Sequence, residues 1–308
     1  MENQDQPLVS VIMNCYNGEK YLREAIDSVY AQTYDNWEII FWDNASTDNS
    51  ATIAKSYDQK LKCFKGENTI RLGDARNKAI DQCSGEYIAF LDCDDLWFPK
   101  KLEMQIPLFK ENKIGIVISN IIYFSSDIDE KKLYGFRDPP TGNVFTKLLE
   151  NYFVAMPTVM IRKESLLSLD YWFDSEFDLI EDLDLIARIS YKWDLGYVNS
   201  VLAKYRIHGG SCTSLKRENF PVEMKTMLKK YNNLIPDFTQ RYKKQIYRFN
   251  RIIDWWEAQN LATKGSFIEA SRKISQYSFD SIKWFLKFIL ISLPFTRKIF
   301  IRKLLNRI

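Results

Sequence analysis

Histidine occurs once in the 308 residues, at His208. Cysteine occurs five times, at Cys15, Cys63, Cys83, Cys93 and Cys212, and no two form a C-x-x-C pair. An odd number of widely spaced cysteines makes neither a disulfide framework nor a zinc site, and reads as reduced thiols of a cytosolic protein. The amino terminus, Met1-Glu2-Asn3-Gln4-Asp5, lacks the basic and apolar regions of a signal peptide, so a cytoplasmic location is expected. No apolar run reaches the roughly 20 residues that a bilayer-spanning helix needs. Neither a glycine-rich basic loop nor a G-x-G-x-x-G stands after the first expected strand, where the chain reads Asn14-Cys15-Tyr16-Asn17-Gly18. That counts against a sugar nucleotidyltransferase and a Rossmann dehydrogenase. No G-x-S-x-G surrounds a serine, which counts against a Ser-His-Asp hydrolase. Internal repeats and low-complexity stretches are also missing.

What is present is the composition of a folded protein: 46% hydrophobic and 27% charged residues, with a formal net charge of only +3. That balance does not point to nucleic acid. The first hundred residues alternate in a clear rhythm between short strand-like runs, the one at 8–13 rich in β-branched residues, and helical segments. Strands are expected at 8–13, 37–42, 61–65 and 86–91, and helices at 19–30, from a Ser46 cap through 57, and at 72–83. Pro99 suits the first position of a further helix. This rhythm means βαβ units and a mostly parallel sheet flanked by helices, an α/β fold. Beyond it, strands are expected at 114–124, 158–161 and 197–205, a loop at 125–143 and a helix at 181–192. From 218 the chain reads as helical, broken at Pro236, Gly265 and Pro294, with Ser266 and Glu269 as a capping box. Two regions result: residues 1–217, and a helical extension over 218–308.

Ligands of open parallel sheets bind beyond the carboxyl ends of the strands. Asn14, Tyr16 and Asn17 follow the first strand, Asp43 and Asn44 the second, and Asp92, Asp94 and Asp95 the fourth. All three sets should line one crevice. Three carboxylates directly after the apolar run Tyr87-Ile88-Ala89-Phe90-Leu91 repel each other where a ligand is expected. A short Asp-x-Asp there can hold Mg²⁺ or Mn²⁺ together with substrate phosphates, and the cation can act as a Lewis acid on a leaving diphosphate.

The stretch Val9-Ser10-Val11-Ile12-Met13-Asn14-Cys15-Tyr16-Asn17 is followed by Ser28-Val29-Tyr30-Ala31-Gln32-Thr33-Tyr34 and by Glu38-Ile39-Ile40-Phe41-Trp42-Asp43-Asn44-Ala45-Ser46-Thr47-Asp48. Together they resemble the opening of family 2 glycosyltransferases, which have the GT-A fold. Gly85-Glu86 with the Tyr87 to Asp95 run resembles that family's Asp-x-Asp segment. Phe173-Asp174, Glu181-Asp182 and Tyr205-Arg206-Ile207-His208 resemble its later signatures, in the same order. The resemblance covers about residues 7–214 and implies an inverting, metal-dependent transfer from a nucleotide-sugar. It implies donor contacts for Asn14, Tyr16, Asn17, Asp43, Arg76 and Asp92, and metal contacts for Asp94 and His208. It implies a general base at Asp182, with Glu181 beside it. The acceptor would be a glycan or a lipid-linked saccharide of cell-surface polysaccharide synthesis. A catalytically silent sugar-nucleotide-binding or scaffold subunit is the competing reading, and retention of Asp92, Asp94 and Asp182 argues against it. Two departures stand out: Asn14 where many relatives have Pro, and Asn44 where many have Asp. The Gln-x-x-Arg-Trp motif of processive synthases is absent, so single additions are expected.

No acidic residue follows Asp280, and residues 283–308 interleave Lys283, Lys287, Arg297, Lys298, Arg302, Lys303 and Arg307 with Trp284, Phe285, Phe288 and Phe300. A basic amphipathic segment of this kind can lie on anionic lipid, so peripheral membrane contact through 280–308 is expected.

Overall fold

The structure is a computed structural model that describes residues 6–125, 128–208 and 216–293. The chain divides into two compact units, Met1–Leu148 with Tyr152–Ile207, and Leu149–Asn151 with His208–Ile308.

The first unit is built on one sheet. Strand β1 (Val9–Cys15) is buried along its whole length, as a strand covered on both faces must be. The amphipathic helix α1 (Glu19–Tyr30) lays Leu22, Ala25, Ile26 and Val29 on the core. Then come β2 (Trp37–Asp43), α2 (Ser50–Ala54), β3 (Leu61–Lys65), α3 (Leu72–Ile80) and β4 (Tyr87–Phe90). After β4 the chain makes β5 (Leu96–Trp97), α4 (Lys101–Gln105), β6 (Ile114–Ser125), β7 (Ile128–Lys132), α5 (Phe145–Glu150), β8 (Met160–Arg162), α6 (Lys163–Leu167), α7 (Glu181–Lys192) and β9 (Asp194–Arg206). The order across the sheet is β3-β2-β1-β4-β8-β6-β9-β5, with β7 paired to β6. The half from β3 to β4 is parallel, as the alternating pattern predicts. Beyond it β8 runs antiparallel to β4 and β6, β9 runs parallel to β6, and β5 is antiparallel to β9. The chain therefore leaves the central β4, passes through the acidic cluster and reaches the β9 edge within a few residues.

The amino ends of the parallel strands share one polar knot. Glu38 on β2 accepts from Ser10 Oγ (2.6 Å), from the Ser84 amide (2.9 Å) and from Lys62 Nζ (2.6 Å). Ser10 Oγ in turn accepts from the Gly85 amide (2.8 Å). Gly85 has to be glycine: a Cβ there would stand 2.6 Å from the Ser10 nitrogen and 2.7 Å from the Leu8 carbonyl oxygen.

Several expected elements differ in detail. Ser46 does not cap α2, which starts at Ser50; its Oγ accepts from the Asn17 amide instead (3.0 Å). The expected loop at 125–143 contains β7, which pairs with the end of β6. Pro99 lies before α4 rather than inside it.

The second unit has its own core. Helices α8 (Phe220–Leu234), α9 (Phe238–Arg241), α10 (Lys243–Thr263), α11 (Phe267–Ser275) and α12 (Ile282–Ser292) follow in series, with breaks near Pro236 and Gly265 as expected. Ala258, Ala262, Ala270, Ile274 and Ile291 form the apolar centre of α10, α11 and α12. Ser266 precedes α11 but makes no side-chain cap bond, so the expected capping box is not formed. Part of the expected basic face turns inward. Lys287 Nζ lies 4.0 Å from the Trp284 ring centre and 4.2 Å from that of Trp255. Burial, aided by Lys283 and Arg251, pushes its amine down to about 8. Trp284 is itself buried, whereas Phe279, Ile282, Phe285 and Leu286 are exposed. Arg297, Lys298, Phe300, Arg302, Lys303 and Arg307 lie outside the described residues. Among the described residues no helix is long and apolar enough to cross a membrane.

Candidate active site

The parallel strands deliver three polar groups to their carboxyl ends. Past β1, Asn14 is buried, and neither polar atom of its amide has a partner among the described residues. Tyr16 is 54% exposed, which excludes core packing for its ring. Asn17 takes a left-handed conformation (φ 51°), and its Oδ1 accepts the Thr47 amide at 2.8 Å. Asp43, at the end of β2, is fully buried: Oδ1 accepts the Ser46 amide at 2.8 Å, while Oδ2 has no partner among the described residues. A buried carboxylate oxygen without a donor is costly unless a ligand supplies one. Asn44 closes a ring with Ile70, donating to its carbonyl (2.8 Å) and accepting its amide (3.1 Å). An ionised Asp at this position could only accept, so the departure to Asn is used locally.

The third group is joined to a distant helix start. Arg76 on α3 is buried, with 3% of its side chain exposed, so it does not lie on a solvated helix face. One terminal nitrogen donates to Asp92 and the other to Glu181, each at 3.0 Å. Gly73 lets α3 come this close: a Cβ there would stand 3.3 Å from Phe173 Cβ and 3.7 Å from Glu181 Cβ. Asn77 fastens the same contact, donating to the Phe173 carbonyl (2.8 Å) and accepting the Phe173 amide (3.0 Å). Glu181 and Asp182 open α7, where the helix dipole favours acids. Asp182 accepts the Tyr152 hydroxyl at Oδ2 (3.0 Å) and the Leu183 amide at Oδ1 (2.6 Å). Burial raises the pKa of both carboxyls; repulsion by Asp182 adds to the rise at Glu181, and the Arg76 cation opposes it at both. A buried carboxyl that holds its proton more tightly than usual has the character of a general base.

The three acids after β4 divide. Asp92 is 31% exposed at its side chain and faces Arg76. Asp95 is buried: its Oδ1 accepts the Arg206 amide at 2.8 Å, and burial together with Asp94 and Asp92 pushes its pKa well up. Arg206 also donates through Nε to the Asp94 carbonyl (2.9 Å) and through Nη2 to Glu24 (2.8 Å). Asp95 thus anchors the segment that presents Asp94. Among the described residues no three His, Cys, Asp or Glu side chains form a closed metal site. An open site fits the residues present. One or two carboxylates at a partly exposed strand end, with phosphate and water completing the shell, are the donor set that Mg²⁺ or Mn²⁺ takes. His208 lies two residues past β9 and belongs to the second unit.

Two contributors carried no sequence signal strong enough to find. Tyr152 sits in an irregular segment without periodicity. Arg206 stands inside a recognisable motif, but its work is done on the Asp94 carbonyl and the Asp95 carboxylate.

A family model described as glycosyl transferase family 2 matches residues 10–169. This chain belongs to glycosyltransferase family 2. The family member most usefully compared is the Escherichia coli UDP-Glc:alpha-D-GlcNAc-diphosphoundecaprenol beta-1,3-glucosyltransferase WfgD. It is 31% identical over 246 residues, 79% of this chain and 91% of that protein. The putative glycosyltransferase EpsE of Bacillus subtilis is 32% identical over 220 residues, 70% of this chain and 77% of EpsE. Among solved structures, residues 1–349 of Staphylococcus aureus TarS in complex with UDP-GlcNAc superpose with a TM-score of 0.69 at 20% identity, covering 92% of this glycosyltransferase and 81% of that chain. The mannosyltransferase PcManGT of Pyrobaculum calidifontis, in complex with GDP-Man and Mn²⁺, gives a TM-score of 0.61 at 17% identity, with 91% and 78% covered. The longer TarS chain is matched over 43% of its length. These likenesses establish the GT-A fold and the enzyme class.

Proposed function

We propose that the glycosyltransferase moves a sugar from a nucleotide-sugar, with UDP as the nucleotide, to a lipid-linked or other glycan acceptor with inversion at the anomeric carbon. The observation that carries this reading is the Asp92–Arg76–Glu181 bridge. It ties the segment that would face the donor diphosphate to the helix start that would face the acceptor. The name of WfgD, which specifies a UDP-sugar donor and a diphosphoundecaprenol-linked acceptor, supports the choice of nucleotide and acceptor class. The UDP-GlcNAc complex of TarS supports the nucleotide as well.

In this mechanism Tyr16 lies against the base and Asp43 binds the base or ribose, with Asn14 and Asn17 shaping the pocket. Asp92 would serve the ribose or the cation, and Asp94 would be the principal cation ligand. Arg76 fixes Asp92 and Glu181 in position. A divalent cation held there would supply Lewis-acid neutralisation of the leaving diphosphate. Asp182 takes the proton from the acceptor hydroxyl as its oxygen bonds to the anomeric carbon. The bond from that carbon to the diphosphate breaks, and its electron pair leaves with the nucleotide. Glu181 helps keep Arg76 in place and contributes to the field around Asp182.

Screening UDP-sugars and GDP-mannose for nucleotide release tests the reading. UDP release that requires Mn²⁺ or Mg²⁺, is abolished by EDTA and is lost in Asp182→Asn is the expected result. Turnover indifferent to EDTA would remove the metal, and absence of any nucleotide-sugar binding would remove the function.

Membrane contact belongs to the same reading. Phe279, Ile282, Phe285 and Leu286 are exposed, and Lys283 is exposed among them. They would insert at a lipid surface beside the basic residues that follow. Replacing Ile282, Phe285 and Leu286 together by Gln should abolish sedimentation with anionic phosphatidylglycerol vesicles. Unchanged sedimentation would end the idea.

A further inference from the structure

The residue between Asp92 and Asp94 is a cysteine, and it has a cysteine neighbour. Parallel pairing of β1 with β4 sets Val9 opposite Tyr87 and Ile12 opposite Phe90. A further backbone bond, from the Leu91 amide to the Ile12 carbonyl (3.0 Å), carries the ladder onward. Past Phe90 the chain turns, and at that turn Cys93 comes beside Cys15, the last residue of β1. The two thiols interact directly with each other. Both also crowd one glycine. A Cβ on Gly18 would stand 2.7 Å from Cys15 Sγ and 2.8 Å from Cys93 Sγ, so the bare Gly18 Cα is what leaves room for the sulfurs. Both cysteines are free thiols. Cys15 is buried, whereas Cys93 is only partly so.

From this meeting of the two sulfurs over Gly18 we infer that Cys15 and Cys93 form an oxidative modification site, a dithiol that a hydroperoxide converts to a disulfide at the donor-binding end of the sheet. The chemistry balances in two steps. Peroxide oxidises one thiol of the pair to a sulfenic acid and leaves as water. The other sulfur then attacks the sulfenic sulfur, forming the S–S bond and releasing a second water. One peroxide is reduced, two thiols are oxidised, and a thiol reductant reverses the change. The new bond ties the end of β1, between Asn14 and Tyr16, to the backbone between Asp92 and Asp94. Closing the sulfurs to about 2.05 Å constrains the segment that carries both carboxylates. The consequence for donor binding rests on the nucleotide-sugar reading above; formation of the bond does not.

Two measurements on the full-length protein keep these apart. The protein is reduced, exposed to hydrogen peroxide, alkylated and peptide-mapped, and UDP affinity is measured before and after with Mn²⁺ present. The expected map contains a peptide pair joined through Cys15 and Cys93, absent after dithiothreitol. UDP affinity is expected to fall about tenfold on oxidation and to recover on reduction. In Cys15→Ser, the joined pair is expected to be missing and the loss of affinity to be irreversible or absent. A map showing sulfinic acid at Cys93 without the cross-link would overturn the inference, as would wild-type affinity that drops irreversibly and equally in Cys15→Ser. Cross-linking in a protein that binds no UDP when reduced would instead uphold the dithiol site and overturn the nucleotide-sugar reading.

Discussion

Arg76 stands between Asp92 and Glu181, one terminal nitrogen on each carboxylate at 3.0 Å. The three residues come from a helix, a strand end and a second helix start, and 105 positions separate the two ends of the longer contact. The guanidinium fork suits this geometry because it presents two parallel donors, which a lysine ammonium cannot.

Removing the fork leaves two carboxylates facing each other without a cation. Arg76→Met should destabilise the first unit by about 3–5 kcal/mol, the usual consequence of breaking a buried pair from one side. Arg76→Lys should recover only part of this. Urea denaturation followed by tryptophan fluorescence measures both, and a loss within experimental error would show that the bridge is not energetic.

Tyr152 donates to Asp182, a bond that favours the charged carboxylate and so holds its raised pKa in check. Tyr152→Phe removes that bond. The acid limb of the pH–rate profile should move to higher pH, because the base is then protonated earlier as pH falls. Asp182→Asn should lower kcat by about 10²- to 10⁴-fold with UDP affinity retained. An acid limb unmoved by Tyr152→Phe would argue that Asp182 is not the titrating base.

Lys101 is a buried amine whose Nζ donates to Gln105 Oε1 (2.5 Å) and lies 4.4 Å from the Trp97 ring centre. Desolvation pushes its pKa well below 10.5. The unfolded chain therefore holds a proton that the folded protein has lost, at every pH between the folded and unfolded pKa values. In that window stability rises with pH, by at most about 1.4 kcal/mol per pH unit. Lys101→Met should flatten the rise, seen as a smaller gain in melting temperature from neutral to alkaline buffer.

A Cβ on Gly85 would meet backbone atoms of Leu8 and Ser10, whereas one on Gly135 would have nothing within 4 Å. Gly85→Ala should cost about 1–3 kcal/mol or more through forced displacement of β1 against β4. Gly135→Ala should stay within about 0.5 kcal/mol. Parallel melts of the two variants provide the check.

The parallel half of the sheet is legible because β1 and β2 are mostly apolar runs and α1 carries a clean apolar stripe. The expected limits of α1, β3 and α7 agree with the structure almost to the residue. β5 is two residues long and β7 carries the polar run Asp129-Glu130-Lys131-Lys132, so neither has a period to detect. Their pairing is set by neighbours far along the chain. Ser46 illustrates the same limit at a single residue: its hydroxyl serves the Asn17 amide rather than a helix end. At the site, Asp43, Asp92 and the Glu181-Asp182 pair could be proposed from motif order alone. The inward turn of Arg76 and the support from Tyr152 could not, because each depends on a contact between segments with no local relation.

The two ends of the parallel strands treat acids in opposite ways. Glu38, at the amino end, is saturated by Ser10, Ser84 and Lys62. At the carboxyl end, Asp43 Oδ2, Asp95 Oδ2 and Glu181 Oε2 are buried with no partner among the described residues. One rim of the sheet is chemically closed and the other keeps spare accepting capacity. Substitutions that stabilise this enzyme should therefore be sought near Glu38, since filling the open valences at the opposite rim would trade reactivity for stability.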